Sequence, residues 1–388
     1  MIKLVDNYLS TNLFYEVAMS KELTVKKEGK DAYNIYIERN FKALGDALIN
    51  LGTIKDHKLV IVTDTNVEAA QYEKLENSLK KSLGEEQVIL KYVFEAGEEN
   101  KNLDTVKDLY TFLIENHVDR KDTLMAFGGG VVGDLTGFSA ASYLRGIDFV
   151  QVPTSLLAMC DSSIGGKTGV DFDAYKNMVG AFYMPKLVYM NMAVLKTLPK
   201  RQFASGMAEV LKHGIIKDAI YYEWLIDHFL EINDMDLEIL EEMIYRSCNI
   251  KRMVVENDPY EKGERALLNF GHTIGHAYEK YMNFEMYHGE CVAIGMCAAA
   301  IISFKRNLLT ADECYEIRDM FVPFNLPISI DNVDADEIIR LTKSDKKVEG
   351  NTIKFILLKK VGKAYIDKTV TEDEIRAAIE ELNFNEED

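Results

Sequence analysis

The sequence predicts an α/β fold with a mostly helical second half: a parallel-sheet domain over residues 1–190 and a helical domain over 191–388. Three observations predict it. Short β-branched runs alternate with amphipathic stretches in the first half, the pattern of strands paired in parallel through helical crossovers. Glycine-rich turns stand where those strands end. From Lys200 to Asn325 strand signals nearly vanish, and long segments carry helical periodicity with few breakers. A length of 388 residues suits about two domains of typical size.

The elements follow in order. The first twenty residues carry no clear pattern, and Leu23–Lys26 with Tyr33–Ile37 predicts a hairpin. Lys58–Asp64 is a short apolar run ending at a polar turn, with an amphipathic helix from Val67 to Lys81 after it. Gln87–Phe94 repeats the strand pattern, followed by the turn Gly97–Lys101 and a helix to about Asn116. Thr123–Phe127 gives a third strand, then the loop Gly128–Gly130 and a helix from Asp134. In the second half, Tyr221–Val255 and Gly289–Lys305 read as helices. Ile353–Leu358 and Lys363–Ile366 are strand-like, and Thr371–Glu374 forms a capping box that opens a last helix.

Composition excludes several classes of function. The chain carries 45 basic and 63 acidic residues, a net charge of −18, which argues against binding nucleic acid or an anionic membrane surface. A small anionic substrate needs only local lysines and arginines. The five cysteines are odd in number and form no C-x-x-C pair, so a reducing compartment is expected. The N-terminus lacks a basic segment followed by an uninterrupted apolar core, and no apolar run reaches the ~18 residues of a membrane span. A cytoplasmic location is the expectation.

Four motifs carry chemistry. Arg265, Asn269, His272, His276, His288 and Glu290 fall within one short window that holds three of the seven histidines. His272 and His276 are four residues apart and share a helix face. Imidazole suits Zn(II) and its first-row neighbours, and a catalytic zinc takes three protein ligands with one open position. Spacing alone leaves open which three residues those are. Glu209 and Lys212 would ordinarily be a surface ion pair at i, i+3. Gly206, Met207, Ala208, Val210 and Leu211 surround the carboxylate, however, and such a setting asks for a cation, a metal above all.

The loop Phe127–Asp134 lets backbone amides at a helix start approach a phosphate or pyrophosphate, which makes the sheet domain a Rossmann-like nucleotide-binding candidate. It is not the G-x-G-x-x-G fingerprint, and it follows the third strand of the alternating run rather than the first. In Pro153–Asp171, a Ser-Ser-x-Gly-Gly-Lys segment supplies hydroxyls, amides and an ammonium for a phosphate or polyol, without the first glycine of a P-loop. A plain tight turn and a glycine-rich connector are the alternatives for these two segments.

The runs GGGVVGDLTGF, PTSLLAMCDSSIGGKTGVD with KN after it, SGMAEVLKHGII, and LNFGHTIGHAYE with HGE resemble the 3-dehydroquinate synthase family, in order over roughly residues 34–380. The resemblance implies an NAD-binding domain and a metal-binding helical domain, with Zn(II) or Co(II) as the metal, and a homodimer. It implies conversion of 3-deoxy-D-arabino-heptulosonate 7-phosphate to 3-dehydroquinate and phosphate, in the shikimate pathway toward aromatic amino acids. The route is transient oxidation by NAD, phosphate elimination, re-reduction and intramolecular aldol closure. Carried over residue by residue, the metal ligands fall on Glu209, His272 and His288. Residues acting on the substrate fall on Lys167, Asn177, Lys212, Lys251, Arg265, Asn269 and His276, with a late lysine at Lys346 or Lys347. NAD contacts fall on Asp64, Asn66, Glu98, Lys101, Gly129, Gly130, Val131, Asp134, Thr154, Ser155, Asp161, Lys176 and Thr197; Asp161 also lies beside the substrate.

One departure is Gln202, where relatives often carry glutamate. It lies near the expected NAD contacts and touches no group that does chemistry. Two rival readings remain within the enzyme class. Another sugar phosphate cyclase would share scaffold, NAD and metal, but would alter the residues that read the substrate carboxylate, and here Lys251, Arg265, Asn269 and His276 are the synthase types. A metal-dependent polyol dehydrogenase would not need the Ser-Ser-x-Gly-Gly-Lys segment or so many lysines.

Overall fold

The computed structural model describes residues 21–344, apart from 53, 55 and 174, and residues 354–384. The first half builds one seven-stranded sheet. β1 (Lys21–Lys27) and β2 (Lys30–Glu38) form the expected antiparallel hairpin, and α1 (Leu44–Leu51) follows. The alternating run comes next: β3 (Leu59–Asp64), α2 (Thr65–Leu83), β4 (Ile89–Phe94), α3 (Leu103–Glu115), β5 (Thr123–Gly128), α4 (Gly130–Ser142) and β6 (Asp148–Pro153). The strands β7 (Lys167–Phe172) and β8 (Tyr175–Phe182) pair antiparallel as a separate hairpin, and β9 (Leu187–Asn191) returns to the main sheet.

Strand order in the sheet is β1-β2-β9-β6-β5-β3-β4, and every pairing except β1 with β2 is parallel. The chain runs from β3 outward to β4, then back to β5 on the other side of β3. This reversal makes a crevice beyond the carboxyl ends of β3 and β5, the place where open α/β sheets bind ligands. Asp64 ends β3 and Gly128 ends β5, so the glycine loop lies at the switch point although its strand is not the first of the run.

Both faces of the sheet are covered, as strand periodicity requires. Leu59, Ile61, Met125 and Phe127 join the large core that continues into the helical half, while Val60, Val62, Leu124 and Ala126 pack under α3 and α4. Side-chain caps fix the helix starts: Asp64 accepts from the Val67 amide at 2.9 Å and Asn102 from the Thr105 amide at 3.0 Å.

The second half contains α5 (Lys200–Lys217), α6 (Ala219–Asp227), α7 (Phe229–Asn233), α8 (Leu237–Asn257), α9 (His272–Tyr281), α10 (His288–Lys305) and α11 (Ala311–Asp319). Beyond them lie β10 (Ile330–Asp331), α12 (Ala335–Ser344), β11 (Phe355–Lys360), β12 (Lys363–Asp367), α13 (Glu372–Leu382) and β13 (Asn383–Phe384). No strand occurs among the described residues between 200 and 325, as expected. Helix α10 is long and apolar enough to cross a membrane by composition, but it is buried within the fold, as a helix apolar all round must be in a globular core.

Four sequence expectations need correction. Helix α4 starts at Gly130 rather than Asp134, because the glycine loop itself winds the first turn with Gly129 as N-cap. The stretch Tyr221–Val255 is not one helix: it breaks at His228 and again near Met235, whose φ is +58°, before Asp236 caps α8. The Ser-Ser-x-Gly-Gly-Lys segment leads into the hairpin β7–β8 rather than a connector. That pairing depends on Gly169 and Gly180, where a Cβ would meet the facing backbone at 2.8 and 2.3 Å. The strand expected from Ile353 is seen from Phe355, Ile353 itself lying outside the described residues. The Thr371 capping box opens α13 as anticipated.

Candidate functional site

Glycines bring three helices close enough for their side chains to converge. A Cβ on Gly289 would lie 2.1 Å from the Ser205 carbonyl oxygen, and one on Gly295 would lie 2.0 Å from that of Gly271. Helix α10 therefore packs backbone to backbone on α5 and on the start of α9. Ser205 Oγ also accepts from the Gly289 amide at 2.9 Å. One turn beyond Ser205 stands Glu209, while His272 and His288 open α9 and α10.

Glu209 Oε1 lies 3.6 Å from His272 Nε2 and 3.5 Å from His288 Nε2, and the three ligand atoms fall within 4.8 Å of one another. Donors each ~2.1 Å from a tetrahedral zinc stand about 3.4 Å apart, so the spacing fits such an ion. Glu209 Oε1 is buried and accepts no hydrogen bond, which leaves a costly orphan unless a cation meets it. The other nitrogens of both rings are engaged. His288 Nδ1 is 2.6 Å from Glu279 Oε1, and His272 Nδ1 is 3.1 Å from the Phe270 carbonyl oxygen. These partners fix the rings so that both Nε2 atoms face Glu209.

Electrostatics agree with a cation at this point. Burial alone would raise the Glu209 carboxyl, but Lys212, His272 and His288 hold it well below the usual range. Burial and the Lys212 ammonium push His272 down to about 3, so its ring is neutral and able to ligate. At His288 burial is outweighed by Glu209 and Glu279, which lift it to about 10. Two other clusters have ligand-like spacing. In Asp161–Glu209–His213 the carboxylates are already paired with Lys251 and Lys212, and in His276–Glu279–His288 the carboxylate is taken by His288 Nδ1 and Lys176. Glu209, His272 and His288 are the set in which two imidazole Nε2 atoms face the unpartnered Glu209 Oε1. The Glu209–Lys212 pair that spacing alone would place on a surface is fully buried.

Cationic and amide groups surround this triad. Lys251 Nζ donates to the Asp161 carbonyl and carboxylate, and Lys212 Nζ pairs with Glu209 Oε2. Burial lowers Lys251, with Asp161 opposing; burial would raise Asp161, but Lys251 holds it low. Arg265 is buried and donates to the Gly165 carbonyl at 3.2 Å and the Pro259 carbonyl at 2.7 Å. A Cβ on Gly165, whose φ is +98°, would stand 2.6 Å from the guanidinium, so this glycine makes room for Arg265. His276 meets His272 edge to face at 5.3 Å between ring centroids and lies beside Glu279. Asn177, expected beside the substrate, stands on β8, where its amide donates to Asp171 at 2.7 Å, on the side of the hairpin toward Lys101. Lys346 and Lys347 lie outside the described residues.

The expected cofactor residues gather along the sheet's carboxyl edge. Lys101 is buried and sits 2.6 Å from Glu98, 3.8 Å from Asp134 and 3.7 Å from Asp171. Burial raises Asp134 to about 7 although Lys101 opposes it. Gly129 has an ordinary φ of −74°, and a Cβ there would make only van der Waals contact with Ser155. The fold does not demand glycine at 129; a ligand laid against the bare backbone would. No side chain caps α4, so the amides of Gly130 and Val131 point from a helix start suited to a pyrophosphate. Thr154 donates its backbone N–H to Gly128, and Ser155 Oγ accepts from the Ala158 amide. Asp64 caps α2, with Asn66 exposed in its first turn. Thr197 accepts from Gln71 at 2.6 Å, and Lys176, expected at NAD, lies 3.6 Å from Glu279.

Sequence reasoning missed Glu279, Glu261 and His213. Glu279 lies seven residues after His272 and three after His276, on the face those histidines share, and that spacing could have found it. Glu261, which pairs with Lys167 and Asn269, lies in an irregular turn where no periodicity points to it. His213 is fully buried, with Nδ1 2.7 Å from Ser247 Oγ and Nε2 3.9 Å from Asp161 Oδ1.

With its switch-point crevice and buried Glu–His–His set, the chain has the fold of the sugar phosphate cyclases. A 2-epi-5-epi-valiolone synthase from Streptomyces hygroscopicus, whose structure holds NAD+ and Zn2+, shares the fold with a TM-score of 0.83 at 27% identity, over 93% of this chain and 99% of that one. A 2-deoxy-scyllo-inosose synthase complexed with carbaglucose-6-phosphate, NAD+ and Co2+ superposes equally well at 26% identity, over 94% and 100% of the two chains. Sequence separates the particular family from these cyclases of other substrates. The N-terminal region of 3-dehydroquinate synthase matches residues 91–205 and the C-terminal region matches residues 206–348. The 3-dehydroquinate synthase of Acetivibrio thermocellus is 44% identical over 89% of this chain and 94% of its own length. The chain belongs to the 3-dehydroquinate synthase family.

Proposed function

We propose that the family's reaction, phosphate elimination and ring closure of 3-deoxy-D-arabino-heptulosonate 7-phosphate, runs in the single cleft between the sheet edge and helices α5, α9 and α10. The observation that carries this reading is the buried, unpartnered Glu209 Oε1 facing two imidazoles whose other nitrogens are held. Glu209, His272 and His288 would hold Zn(II), with Co(II) as the substitute, and Asp64, Glu98, Lys101, the Gly129–Asp134 loop and Asp161 would hold NAD. Bound there, the metal supplies Lewis acidity to the substrate hydroxyls and NAD a reversible hydride acceptor.

The chain's own groups do the rest. Lys167 and Arg265 grip the phosphate ester, Arg265 as a fixed fork whose planar geometry suits it, while Asn269 helps to read the substrate carboxylate. Lys251 Nζ, buried and lowered from its ordinary value, is placed to give up a proton, and Lys212 Nζ sits where negative charge develops beside Glu209. His276 works next to the metal rather than on it, with Glu279 beside its ring. Asn177 and the lysine at 346 or 347 complete the substrate contacts. We place the domain boundary at residue 190, within β9, the last strand of the sheet, and take the working enzyme to be a homodimer, as the resemblance implies, and cytoplasmic. The five free thiols fit a reducing compartment.

Phosphate release from the heptulosonate substrate tests the reading. Release should require both NAD and a divalent metal, stop on chelation, and return with zinc or cobalt. Turnover that survives thorough chelation overturns the metal assignment.

A further inference from the structure

Gly165 is held at both of its backbone groups by side chains far apart in sequence. Its N–H donates to the Tyr33 hydroxyl at 3.1 Å, and its carbonyl oxygen accepts from Arg265 Nη1 at 3.2 Å. Tyr33 belongs to β2, in the hairpin that opens the sheet domain, and Arg265 follows α8 in the helical half. One residue therefore joins the sheet to the guanidinium that grips the phosphate ester.

The local sequence makes Gly165 depend on these ties. Gly165 takes φ +98° and Gly166 φ +65°, and two glycines in a row lose more chain freedom on ordering than any other pair. Gly166 is fixed through its carbonyl, which accepts from the Tyr183 amide at 2.7 Å. The Gly165 amide has the Tyr33 hydroxyl as its one acceptor among the described residues. Tyr33 is 4% exposed, and Val255 of α8 stands 2.8 Å from where a Cβ on Gly165 would lie, so packed side chains enclose this bond.

Arg265 uses a single terminal nitrogen for both of its carbonyl contacts, to Gly165 and to Pro259. Its Nε and Nη2 make no hydrogen bond among the described residues, and they are the donors left for an anion. The Pro259 carbonyl lies on the turn that carries Arg265 and moves with it. Gly165 is the contact that refers the guanidinium to the sheet.

We propose that Tyr33 is a positioning residue for the substrate phosphate: by pinning the Gly165 N–H it keeps the Gly165 carbonyl on Arg265 and so fixes the plane of the fork. This rests on the assignment of Arg265 to the phosphate. A planar fork binds an anion through two parallel bonds only when its plane is set beforehand, and a buried hydroxyl on a sheet strand is a rigid reference for it.

The test is calorimetric binding of inorganic phosphate to the metal- and NAD-loaded full chain, in the parent, Tyr33→Phe, Arg265→Ala and the double variant. Tyr33→Phe keeps the ring in the core and removes only the acceptor. It should bind phosphate about fivefold to tenfold more weakly, the scale of one hydrogen bond. Its KM for the heptulosonate substrate should rise by the same factor with kcat little changed, while NAD affinity and zinc content stay at parent values. Arg265→Ala should weaken phosphate binding further. Adding Tyr33→Phe to it should then change affinity by no more than about twofold, because the hydroxyl acts through that arginine. A hydroxyl with a purely structural role would lower the melting temperature and weaken binding alike in both backgrounds, and that result overturns the proposal. So does unchanged phosphate binding in Tyr33→Phe when Arg265→Ala has lost it. If Arg265→Ala binds phosphate like the parent, the phosphate assignment fails and the proposal falls with it. Because binding needs no turnover, weaker phosphate binding in Tyr33→Phe of a chain without synthase activity would refute the proposed function and leave the role of Tyr33 standing.

Discussion

Glu279 Oε1 lies 2.6 Å from His288 Nδ1, on the opposite side of the ring from Glu209. A carboxylate behind an imidazole fixes its tautomer and raises its basicity as a ligand. Replacing Glu279 with Gln should leave the three ligands in place but weaken zinc binding by about 10- to 100-fold. Competition with a chromophoric chelator measures this, and unchanged affinity would remove Glu279 from the account.

The two histidines one turn apart on α9 should separate cleanly. His272→Ala should lose metal and activity together, since His272 Nε2 faces Glu209. His276→Ala should keep a full equivalent of metal and lose most activity. Elemental analysis of both purified variants decides it, and a metal-free His276→Ala protein would return His276 to the ligand set.

Gly129 offers a test of the cofactor site that spares the fold. Its φ of −74° suits alanine, and the added Cβ would only touch Ser155. Gly129→Ala should change stability by no more than roughly 0.5 kcal/mol, the scale of a tolerated substitution. NAD affinity should fall by about tenfold or more, because the methyl occupies the space a pyrophosphate needs. Thermal melting and NAD titration read the two effects separately.

His213 sets an acid limit on stability. Burial, with Lys212 beside it, depresses this histidine from 6.5 to about 3, so between those values the unfolded chain binds a proton that the folded chain refuses. Its contribution is complete above pH 6.5 and declines as pH falls toward 3, by up to roughly 1.4 kcal/mol per unit. Denaturant midpoints at pH 7 and pH 5 should differ accordingly, and His213→Asn should flatten the part of the slope due to this residue.

Much of this was legible in the sequence, for identifiable reasons. Alternating apolar runs such as Leu59–Asp64 and Thr123–Gly128 gave the parallel sheet because both faces of each strand are buried. Glu209 stood out because small and apolar residues flank a charge on a helix that packs on all sides. The His-x3-His pair was visible, but spacing could not say that His276 turns toward Glu279 while His288 completes the triad, since that depends on how α9 and α10 pack through Gly271 and Gly295. The hairpin Lys167–Phe182 escaped because its glycines and polar residues read as a connector, and its pairing is set by two facing glycines. Glu261 left no signature, because a turn places residues by local hydrogen bonds to Asp258 and not by period.

The central claim is that this one cleft oxidises, eliminates and re-reduces without net consumption of NAD. Following inorganic phosphate and absorbance at 340 nm together, with the heptulosonate phosphate in excess over NAD, tests it most directly. The account predicts many equivalents of phosphate per NAD with no lasting rise in NADH. Stoichiometric accumulation of NADH on a simple polyol, with no phosphate released from the heptulosonate, would contradict it.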